Sequence, residues 1–313
     1  MIAATISDGA VEPREHPDPA PGAGEVLVRV RAAGLNGADM MQLAGRYPAP
    51  PGAPADIPGL ELAGEVVALG EGATRFELGE RVMGIVAGGG QAELAVVSER
   101  ILMGVPERLD WPAAGGVPEV FTTAHDAIFS QCGLLAGERL LVHGGAGGVG
   151  TAAIGLGSDA GARVFATVRN EQLRDAVAAL GAHVLEPESF AEHGPFDVIL
   201  ELVGAVNLTA NLQALAPLGR IVVIGIGAGA VGEIDLRMLM GKRARIHGSM
   251  LRSRPPEDKA LTARRMERSV LPALADGRVT VPVAATFPLE RVADAYAAFA
   301  AGGKLGKIVL TMG

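Results

Sequence analysis

The fold is decided by the stretch LLVHGGAGGVG at residues 140–150. A short apolar run, Leu140–Val142, leads into glycines spaced Gly-x-Gly-x-x-Gly at Gly145, Gly147 and Gly150, and small apolar residues follow. This order is typical of a strand, a tight turn and a helix N-terminus that binds the pyrophosphate of a dinucleotide. A purely structural tight turn is the alternative, since the chain has 44 glycines. The strand–turn–helix setting favours nucleotide binding.

Alternating strands and helices surround this turn. Short apolar runs separated by stretches with helical spacing predict a parallel sheet that is covered by helices on both faces. The predicted strands are Leu140–His143, Arg163–Thr167, Phe196–Leu200, Gly219–Ile224 and Ala244–Met250, and the predicted crossing helices are Glu171–Leu180 and Asn207–Leu215. The middle of the chain is therefore predicted to be a doubly wound α/β domain.

The two ends of the chain have a different character. Glu25–Arg31 alternates charged and apolar residues, which predicts a half-buried strand in a β-rich region. Arg46–Pro58 is rich in proline and alanine, so it is either a plain connection or a preformed wall of a binding site. Further strands are predicted at Leu62–Leu69, Arg81–Val86, Val281–Phe287 and Ile308–Leu310, with helices after Pro255-Pro256 and at Leu289–Ala301. We expect this C-terminal tail to fold back onto the first domain.

Composition limits the function classes. The 313 residues carry a formal net charge of −8, which gives no electrostatic help to binding nucleic acid or an anionic membrane. The single cysteine, Cys132, excludes an internal disulfide framework and a multi-cysteine zinc site. The first residues lack a basic flank followed by an apolar core. We therefore expect a cytoplasmic protein that acts on a small molecule.

Several motifs occur in an order that resembles a known family. They are GLNGAD at 34–39, PGLELAG at 58–64, GERV at 79–82 and HGGAGGVG at 143–150. Together they resemble the zinc-free quinone oxidoreductase branch of the medium-chain dehydrogenase/reductase superfamily, the relatives of zeta-crystallin. Three more motifs are similar to its stress-inducible type: GGGQAE at 88–93, PEVFTTA at 118–124 and SMLRSR at 249–254. The resemblance covers essentially the whole chain.

The resemblance implies a two-domain architecture. A GroES-like, β-rich catalytic domain is expected at residues 1–117 and 253–313, and a Rossmann dinucleotide-binding domain at residues 118–252. Nicotinamide and substrate are expected between them. The family also implies a homodimer.

The resemblance also bears on metal chemistry. Zinc alcohol dehydrogenases of the superfamily hold their catalytic zinc with a cysteine and a histidine, and Asn36 and Leu60 stand at these positions here. Leucine cannot ligate a metal, and one cysteine cannot build the structural zinc site. We therefore expect no metal, and hence acceptors that are already electron-poor.

Three functions remain open. The first is an NADPH-dependent quinone oxidoreductase that reduces quinones by metal-free electron or hydride transfer. The second is an NADPH-dependent enone or alkenal double-bond reductase on the same scaffold. The third is a nucleotide-binding protein whose main role is not turnover, because zeta-crystallin relatives include lens-structural and RNA-binding members.

The residues after the second predicted strand indicate which coenzyme is used. A site specific for NAD usually places an acid about twenty residues beyond the glycine turn. Arg169 and Asn170 stand there instead, and Arg169 can bind a 2′-phosphate through charge-assisted hydrogen bonds. The alternative is that Arg169 is a solvated loop cation. We expect NADPH, although the lysine and tyrosine that many relatives place nearby are absent.

The resemblance and the glycine pattern name further cofactor residues. The backbone of the glycine turn is expected to approach the pyrophosphate, and three later loops are expected to lie beside the ribose and nicotinamide. Each of these loops can equally be a plain strand-end connection. The set comprises Thr123, Gly147, Gly148, Val149, Val203, Gly204, Gly225, Ile226, Gly227, Ser249, Met250 and Leu251.

Asn36 and Tyr47 are the polar candidates that face the substrate. The Tyr47 hydroxyl can donate a hydrogen bond to a quinone oxygen, although a loop aromatic packed on prolines is an equal alternative. His125 replaces an aromatic residue of the relatives or is an ordinary polar helix residue. Glu61 retains the acid of the zinc relatives' motif, and its alternative role is only to tie loops together. Lys304–Lys307 either reaches a phosphate or is solvated.

Overall fold

The computed structural model describes all residues from Met1 to Gly313. The N-terminal third consists of strands and one short helix, as the alternating pattern predicts. These elements are β1 (Ile2–Ser7), β2 (Ala10–Glu15), β3 (Glu25–Gly34), α1 (Gly37–Leu43), β4 (Glu61–Leu69), β5 (Arg81–Ile85), β6 (Leu94–Ser98) and β7 (Leu102–Gly104). β1 and β2 form an antiparallel hairpin, while β3, β4, β5 and β7 are neighbours in a larger sheet.

Strand β3 is the central strand of that sheet. Val26, Val28 and Val30 are buried while Arg29 between them is exposed, so one face of the strand packs on the core. β3 pairs antiparallel with β4 and, along its first half, with β6. The long loop between α1 and β4 contains no strand or helix.

The middle of the chain forms the predicted parallel sheet. Its elements are α2 (Trp111–Gly115), α3 (Pro118–His125), a π-helical segment (Asp126–Gln131), β8 (Arg139–Val142), α4 (Gly148–Asp159), β9 (Arg163–Thr167), α5 (Arg174–Ala178), β10 (His183–Leu185), β11 (Phe196–Glu201), α6 (Leu208–Ala214), β12 (Leu215–Val223), α7 (Leu236–Lys242) and β13 (Arg245–Gly248). The strand order is β10-β9-β8-β11-β12-β13, and every pair is parallel. The order reverses direction at β8, which places the glycine turn at the switch point of a doubly wound sheet.

The structure refines several predicted boundaries. The helix predicted at Glu171–Leu180 is a 3-10 turn, Glu171–Leu173, followed by the five-residue helix α5. The last strand is shorter than the predicted Ala244–Met250, because the chain leaves the sheet after Gly248. The three-residue strand β10 has no counterpart in the prediction, since so short an apolar run carries no periodicity.

The C-terminal tail returns to the N-terminal sheet. Its elements are α8 (Pro256–Ser269), α9 (Leu271–Ala275), β14 (Val283–Pro288), α10 (Val292–Ala301) and β15 (Lys307–Thr311). β15 pairs antiparallel with the end of β3 and parallel with β14, so both chain ends build the seven-stranded sheet. The domain boundaries at residues 117 and 252 stay predictions.

The two parts of the molecule share a hydrophobic core. One cluster of 33 buried residues contains Met83 and Met103 from the N-terminal sheet as well as Leu140 and Val142 from the parallel sheet. Helix α3 supplies Val120 and Phe121 to the same cluster. Burial of this apolar surface is the main force that holds the parts together. No helix has both the length and the apolar character that crossing a membrane requires.

Candidate active site

The glycine turn lies between the buried strand β8 and helix α4. Gly147 is the N-cap of α4 and has an extended backbone, with φ −74° and ψ 167°. A Cβ at Gly150 would lie 2.4 Å from the Gly144 carbonyl oxygen, so this glycine is required for helix and turn to pack. A Cβ at Gly147 would meet only that oxygen, at 3.5 Å. Gly147 therefore leaves open space at the N-terminus of a helix, which fits a dinucleotide pyrophosphate.

A buried polar network supports the turn from below. His143 Nε2 donates to Asn211 Oδ1 at 2.7 Å, and the Thr167 hydroxyl lies 3.1 Å from His143 Nδ1. Burial lowers the pKa of His143, so the ring is neutral and Nδ1 accepts from Thr167. The Thr167 hydroxyl oxygen in turn accepts from the Gly144 N–H at 3.3 Å. The first residue of the turn is thus held by side chains from two other elements.

Glu201, at the end of β11, continues this network to the next loop. Its Oε1 accepts from the backbone N–H groups of Val203 and Gly204, at 2.6 and 2.8 Å, and its Oε2 accepts from Asn211 Nδ2 at 2.8 Å. Gly204 has a φ of +138°, and a Cβ there would lie 2.7 Å from the Gly229 carbonyl oxygen. Glu201 therefore fixes the loop that contains the predicted cofactor residues Val203 and Gly204.

The other predicted cofactor loops also follow strand ends. Gly225–Gly227 comes after β12, and a Cβ at Gly225 would lie 2.1 Å from the Leu202 carbonyl oxygen. Ser249 follows β13, and its hydroxyl donates to the buried Asp126 carboxylate at 3.2 Å. The carboxyl ends of β8, β11, β12 and β13 therefore bring these loops to the same edge of the sheet, where ligands bind in this architecture.

The end of β9 is basic. Arg169 is exposed, and the Asn170 side chain accepts from the Gln172 N–H at 3.0 Å. Arg174 donates to the Val168 carbonyl at 3.3 Å and pairs with Glu186 at 3.0 Å, so a second arginine lies next to the end of β9. Arg174 was not predicted as a site residue.

The C-terminal tail crosses over the glycine turn. The Gly306 N–H donates to the Ala146 carbonyl at 2.9 Å. Lys304 is largely enclosed and lies 4.2 Å from the Phe299 ring centroid. Burial and the neighbouring Lys307 lower the pKa of Lys304 to about 8. The C-terminal tail thus contacts the glycine turn directly, and neither Lys304 nor Lys307 is a freely solvated cation.

A buried polar cluster joins the turn to the N-terminal sheet. Lys307 is 2% exposed, and its Nζ donates to Leu35 O, Asn36 Oδ1 and Glu61 Oε1 at 2.7, 2.7 and 2.6 Å. Asn36 Nδ2 also donates to Glu61 Oε1, at 2.8 Å. All three Lys307 donors are used and its charge is balanced by Glu61. The Asn36 amide is engaged inside this cluster, and a substrate contact by Asn36 stays a prediction.

Asp39 and Glu119 extend the acidic side of the cluster. Burial raises the pKa of Asp39 to about 6, and its carboxylate accepts from the Asn36 N–H at 2.8 Å. Burial and the Glu61 carboxylate raise the pKa of Glu119 to about 8, so Glu119 keeps its proton at neutral pH. The predicted cofactor residue Thr123 is buried and donates to Glu119 Oε1 at 3.4 Å.

Tyr47 lies against a side chain from the segment after β13. Its ring lies under the guanidinium of Arg252, with 5.0 Å between the Arg252 Cζ and the ring centroid. Burial raises the pKa of the Tyr47 hydroxyl, so the group is a hydrogen-bond donor at neutral pH. His125 is buried in α3 next to Phe129, at 5.2 Å between ring centroids, and burial lowers its pKa.

Two contacts between the parts of the chain involve predicted site residues. One is the Lys307 contact, which joins Asn36 and Glu61 to the glycine turn. The other is the Arg252 contact, which joins Tyr47 to the segment after Ser249–Leu251. Sequence reasoning missed Glu119, Glu201 and Arg252 as site residues. The available signal was a charged side chain within or directly after an apolar stretch.

Comparisons with known proteins agree with this geometry. Residues 22–107 match the family described as alcohol dehydrogenase GroES-like domain, and residues 180–310 match zinc-binding dehydrogenase. The chain is 30% identical to human quinone oxidoreductase over 306 residues, which covers 94% of this chain and 91% of that protein.

Two solved structures show the same architecture. An alcohol dehydrogenase superfamily protein from Novosphingobium aromaticivorans has a TM-score of 0.87 and 30% identity, with 99% of each chain covered. A quinone oxidoreductase from Pseudomonas syringae has a TM-score of 0.86 and 26% identity, with 99% of this chain and 100% of that chain covered.

This chain belongs to the medium-chain dehydrogenase/reductase superfamily, and its curated relatives include quinone oxidoreductases. It is an oxidoreductase of a family that uses a nicotinamide cofactor. The predicted family and the predicted fold class, a Rossmann sheet with a GroES-like domain, are confirmed.

Proposed function

We propose that this protein is an NADPH-dependent quinone reductase that works without a metal. One observation carries the proposal. At the two positions where zinc relatives hold their metal, Asn36 is bonded to the Lys307 ammonium and Leu60 is buried and apolar. Lys307 already supplies a positive charge, neutralised by Glu61. This donor set favours an electron-poor acceptor that needs no Lewis acid.

The residues described above fit a nicotinamide dinucleotide. Gly147, Gly148 and Val149 would hold the pyrophosphate, and Arg169 with Asn170 would hold the adenosine 2′-phosphate. The loops at Val203-Gly204, Gly225–Gly227 and Ser249–Leu251 and the side chain of Thr123 would hold the ribose and nicotinamide. The bound group supplies the reducing equivalents, and the protein supplies alignment and exclusion of water.

Tyr47 is the proposed contact with the acceptor. Its hydroxyl stays protonated and donates to a quinone oxygen, which orients the ring and withdraws charge from it. The reduced oxygen then takes its proton from water, so no dedicated acid is required for this reaction. Asn36 acts beside Tyr47 through the Lys307–Glu61 cluster or by a contact of its own.

Steady-state oxidation of NADPH tests the proposal. We expect turnover with para-quinones, a kcat/KM at least tenfold lower with NADH than with NADPH, and full activity after dialysis against a chelator. Elemental analysis is expected to find far less than one zinc per chain. Loss of activity on chelation, with recovery on adding Zn²⁺, would contradict the metal-free mechanism.

Glu119 favours a second candidate, reduction of a carbon–carbon double bond conjugated to a carbonyl. That reaction needs a proton donor for the α-carbon, and Glu119 is a protonated carboxyl at neutral pH. Rates with α,β-unsaturated aldehydes, measured beside those with quinones, decide between the two. If the aldehydes are preferred, Glu119→Gln is expected to abolish their reduction while leaving residual quinone turnover.

We also propose that the protein is a homodimer. β13 is the outer strand of the parallel sheet and has no partner on its far side. Val231, Leu236 and Met240, in the segment that precedes β13, are exposed apolar residues. A free strand edge beside exposed apolar side chains is a surface that a second copy can cover.

A further inference from the structure

Arg252 connects the two parts of the chain through its side chain. It follows the predicted nicotinamide loop Ser249–Leu251 directly, and it is 5% exposed. Its guanidinium donates only to residues of the N-terminal, GroES-like part of the chain. Nε donates to Ala87 O at 2.8 Å, Nη1 to Tyr47 O at 3.0 Å and to Pro48 O at 3.4 Å, and Nη2 to Gln42 Oε1 at 2.7 Å. Three separate segments therefore converge on one side chain.

None of these bonds is made to a carboxylate. Burial lowers the pKa of Arg252 from its ordinary value, but an arginine stays charged in proteins. A buried cation with no hydrogen-bonded carboxylate is expensive compared with an apolar side chain of the same size, even with the Asp39 and Glu119 carboxyl groups near enough to favour its charge. The planar guanidinium does fix the directions of its hydrogen bonds, because each N–H group must point at its own acceptor. This arrangement suits positioning better than it suits stability.

Apart from the Arg46 N–H, which donates to the Met41 carbonyl at 2.8 Å, no backbone N–H of residues 46–49 donates a backbone hydrogen bond. No strand or helix forms between α1 and β4, and Arg46 and Pro48 on either side of Tyr47 are exposed. Arg252 bonds the backbone carbonyls of Tyr47 and Pro48 and also stacks on the Tyr47 ring. The place of the Tyr47 hydroxyl relative to the loop after β13 therefore depends on this one guanidinium.

We propose that Arg252 is a positioning residue that fixes the acceptor-binding Tyr47 at a set distance from the nicotinamide loop. The inference rests on the proposed function, because it takes Tyr47 and Ser249–Leu251 as parts of the acceptor and cofactor sites. Arg252 itself touches neither ligand. Its backbone continues the loop Ser249–Leu251, and its side chain holds the Tyr47 loop, so it aligns the cofactor loop with the acceptor contact.

The test compares Arg252→Met with Arg220→Met. Arg220 is also a hydrogen-bonded guanidinium, but its partners, Cys132, Gly133 and Glu138, lie at the opposite end of the parallel sheet. We expect Arg252→Met to raise the KM for quinone at least tenfold, to lower kcat, and to leave the NADPH Kd within about twofold. Arg220→Met is expected to lower the melting temperature and leave KM unchanged.

Hydrogen exchange and a double-mutant cycle give readouts that a structural role alone would not move. The hydrogen-bonded amides of Ala44, Gly45 and Arg46 are expected to exchange at least tenfold faster in Arg252→Met, without NADPH and without turnover. Tyr47→Phe is expected to reduce kcat/KM in the wild type but to add nothing in the Arg252→Met background. Arg252→Lys is expected to restore only part of the KM, since one ammonium cannot replace the fork.

Some outcomes would overturn the inference. An unchanged KM and unchanged exchange of the Ala44, Gly45 and Arg46 amides would show that Arg252 does not position the loop. A rise in NADPH Kd alone would assign Arg252 to the cofactor loop. If Arg252→Met does not fold, Gln42→Met removes one partner and must still raise KM and exchange. Exchange and NADPH binding report on Arg252 even if quinones prove not to be substrates.

Discussion

Two glycines of the turn have different contacts, so substitutions at them distinguish an effect on folding from an effect on cofactor binding. Gly150 faces the Gly144 carbonyl oxygen at a distance that no Cβ tolerates, whereas Gly147 faces open space. We predict that Gly147→Val retains a melting temperature within about 3 °C of the wild type but loses measurable NADPH binding. Gly150→Ala is expected to lower both. Fluorescence titration with NADPH and thermal melts check this pair, and retained micromolar NADPH binding by the valine variant would contradict the placement of the pyrophosphate.

Coenzyme choice is a second question at the scale of one residue. Arg169 is exposed at the carboxyl end of β9, where a 2′-phosphate is expected, and Arg163 is exposed at the opposite end of the same strand. A charge-assisted hydrogen bond contributes about 1.5–3 kcal/mol, so Arg169→Ala is predicted to raise the NADPH Kd by about tenfold or more and to leave the NADH Kd unchanged. Arg163→Ala removes the same charge and is expected to change neither. Equal effects of both variants would point to general electrostatics.

The raised pKa of Glu119 predicts how stability depends on pH. Folded Glu119 keeps its proton up to about pH 8, whereas the ordinary value is 4.5, so the folded state binds more protons between these values. Stability therefore falls as pH rises through this window and this contribution levels off above pH 8. Glu119→Gln cannot ionise and is predicted to lose less melting temperature than the wild type between pH 6 and 9, by about 3 °C. If the melting temperatures of the wild type and the variant fall by the same amount over this pH range, the raised pKa of Glu119 is refuted.

At the scale of elements, buried strands were the most predictable features. β9 has the predicted bounds, β8 is shifted by one residue and β11 is one residue longer than predicted, because apolar runs bounded by glycine or charge specify buried parallel strands. The strands β1, β2, β6, β7 and β10 were not predicted. The glycine turn was predicted because all its residues are contiguous. The Lys307–Glu61 contact joins residues 246 positions apart, and no local pattern encodes such a pair.

The loop after β11 shows how one side chain organises an element. Glu201 accepts five hydrogen bonds from four residues, Val203, Gly204, Asn207 and Asn211. In Glu201→Gln an amide NH2 group replaces one carboxylate oxygen. This NH2 group then faces N–H donors where an acceptor is required, which lowers the free energy of unfolding by about 2 kcal/mol. We predict a melting temperature lower by about 4–8 °C and an NADPH Kd raised about threefold to tenfold.

The control for this prediction is Glu186→Gln, which removes an exposed carboxylate that pairs with Arg174. A surface ion pair contributes little, so its melting temperature is expected to stay within about 1 °C of the wild type. If Glu201→Gln loses stability but binds NADPH normally, the loop is a structural support and not part of the cofactor site.

At the scale of the whole molecule, two polar contacts join the two parts of the chain. Arg252 lies where the chain leaves the parallel sheet, and Lys307 lies where the tail passes the glycine turn. Asn36 and Tyr47 belong to one part of the chain and the cofactor loops to the other. The shared core holds the two parts, and these two polar contacts join the segments that contain the proposed substrate residues to the segments that contain the proposed cofactor loops.

The proposed dimer follows from the free edge of the six-stranded sheet. Pairing of β13 with its copy would satisfy the unpaired backbone groups of that edge and cover Leu236 and Met240, which are 62% and 75% exposed. Light scattering is therefore expected to give twice the 31.9 kDa chain mass. Met240→Glu places a charge on the proposed interface and is predicted to shift the protein to the mass of a single chain. The control is Leu78→Glu, at a residue of the N-terminal part that is 64% exposed, and it is expected to leave the dimer intact. A wild type that stays at the single-chain mass across micromolar concentrations would rule the dimer out, and a dimer unaffected by Met240→Glu would place the interface elsewhere.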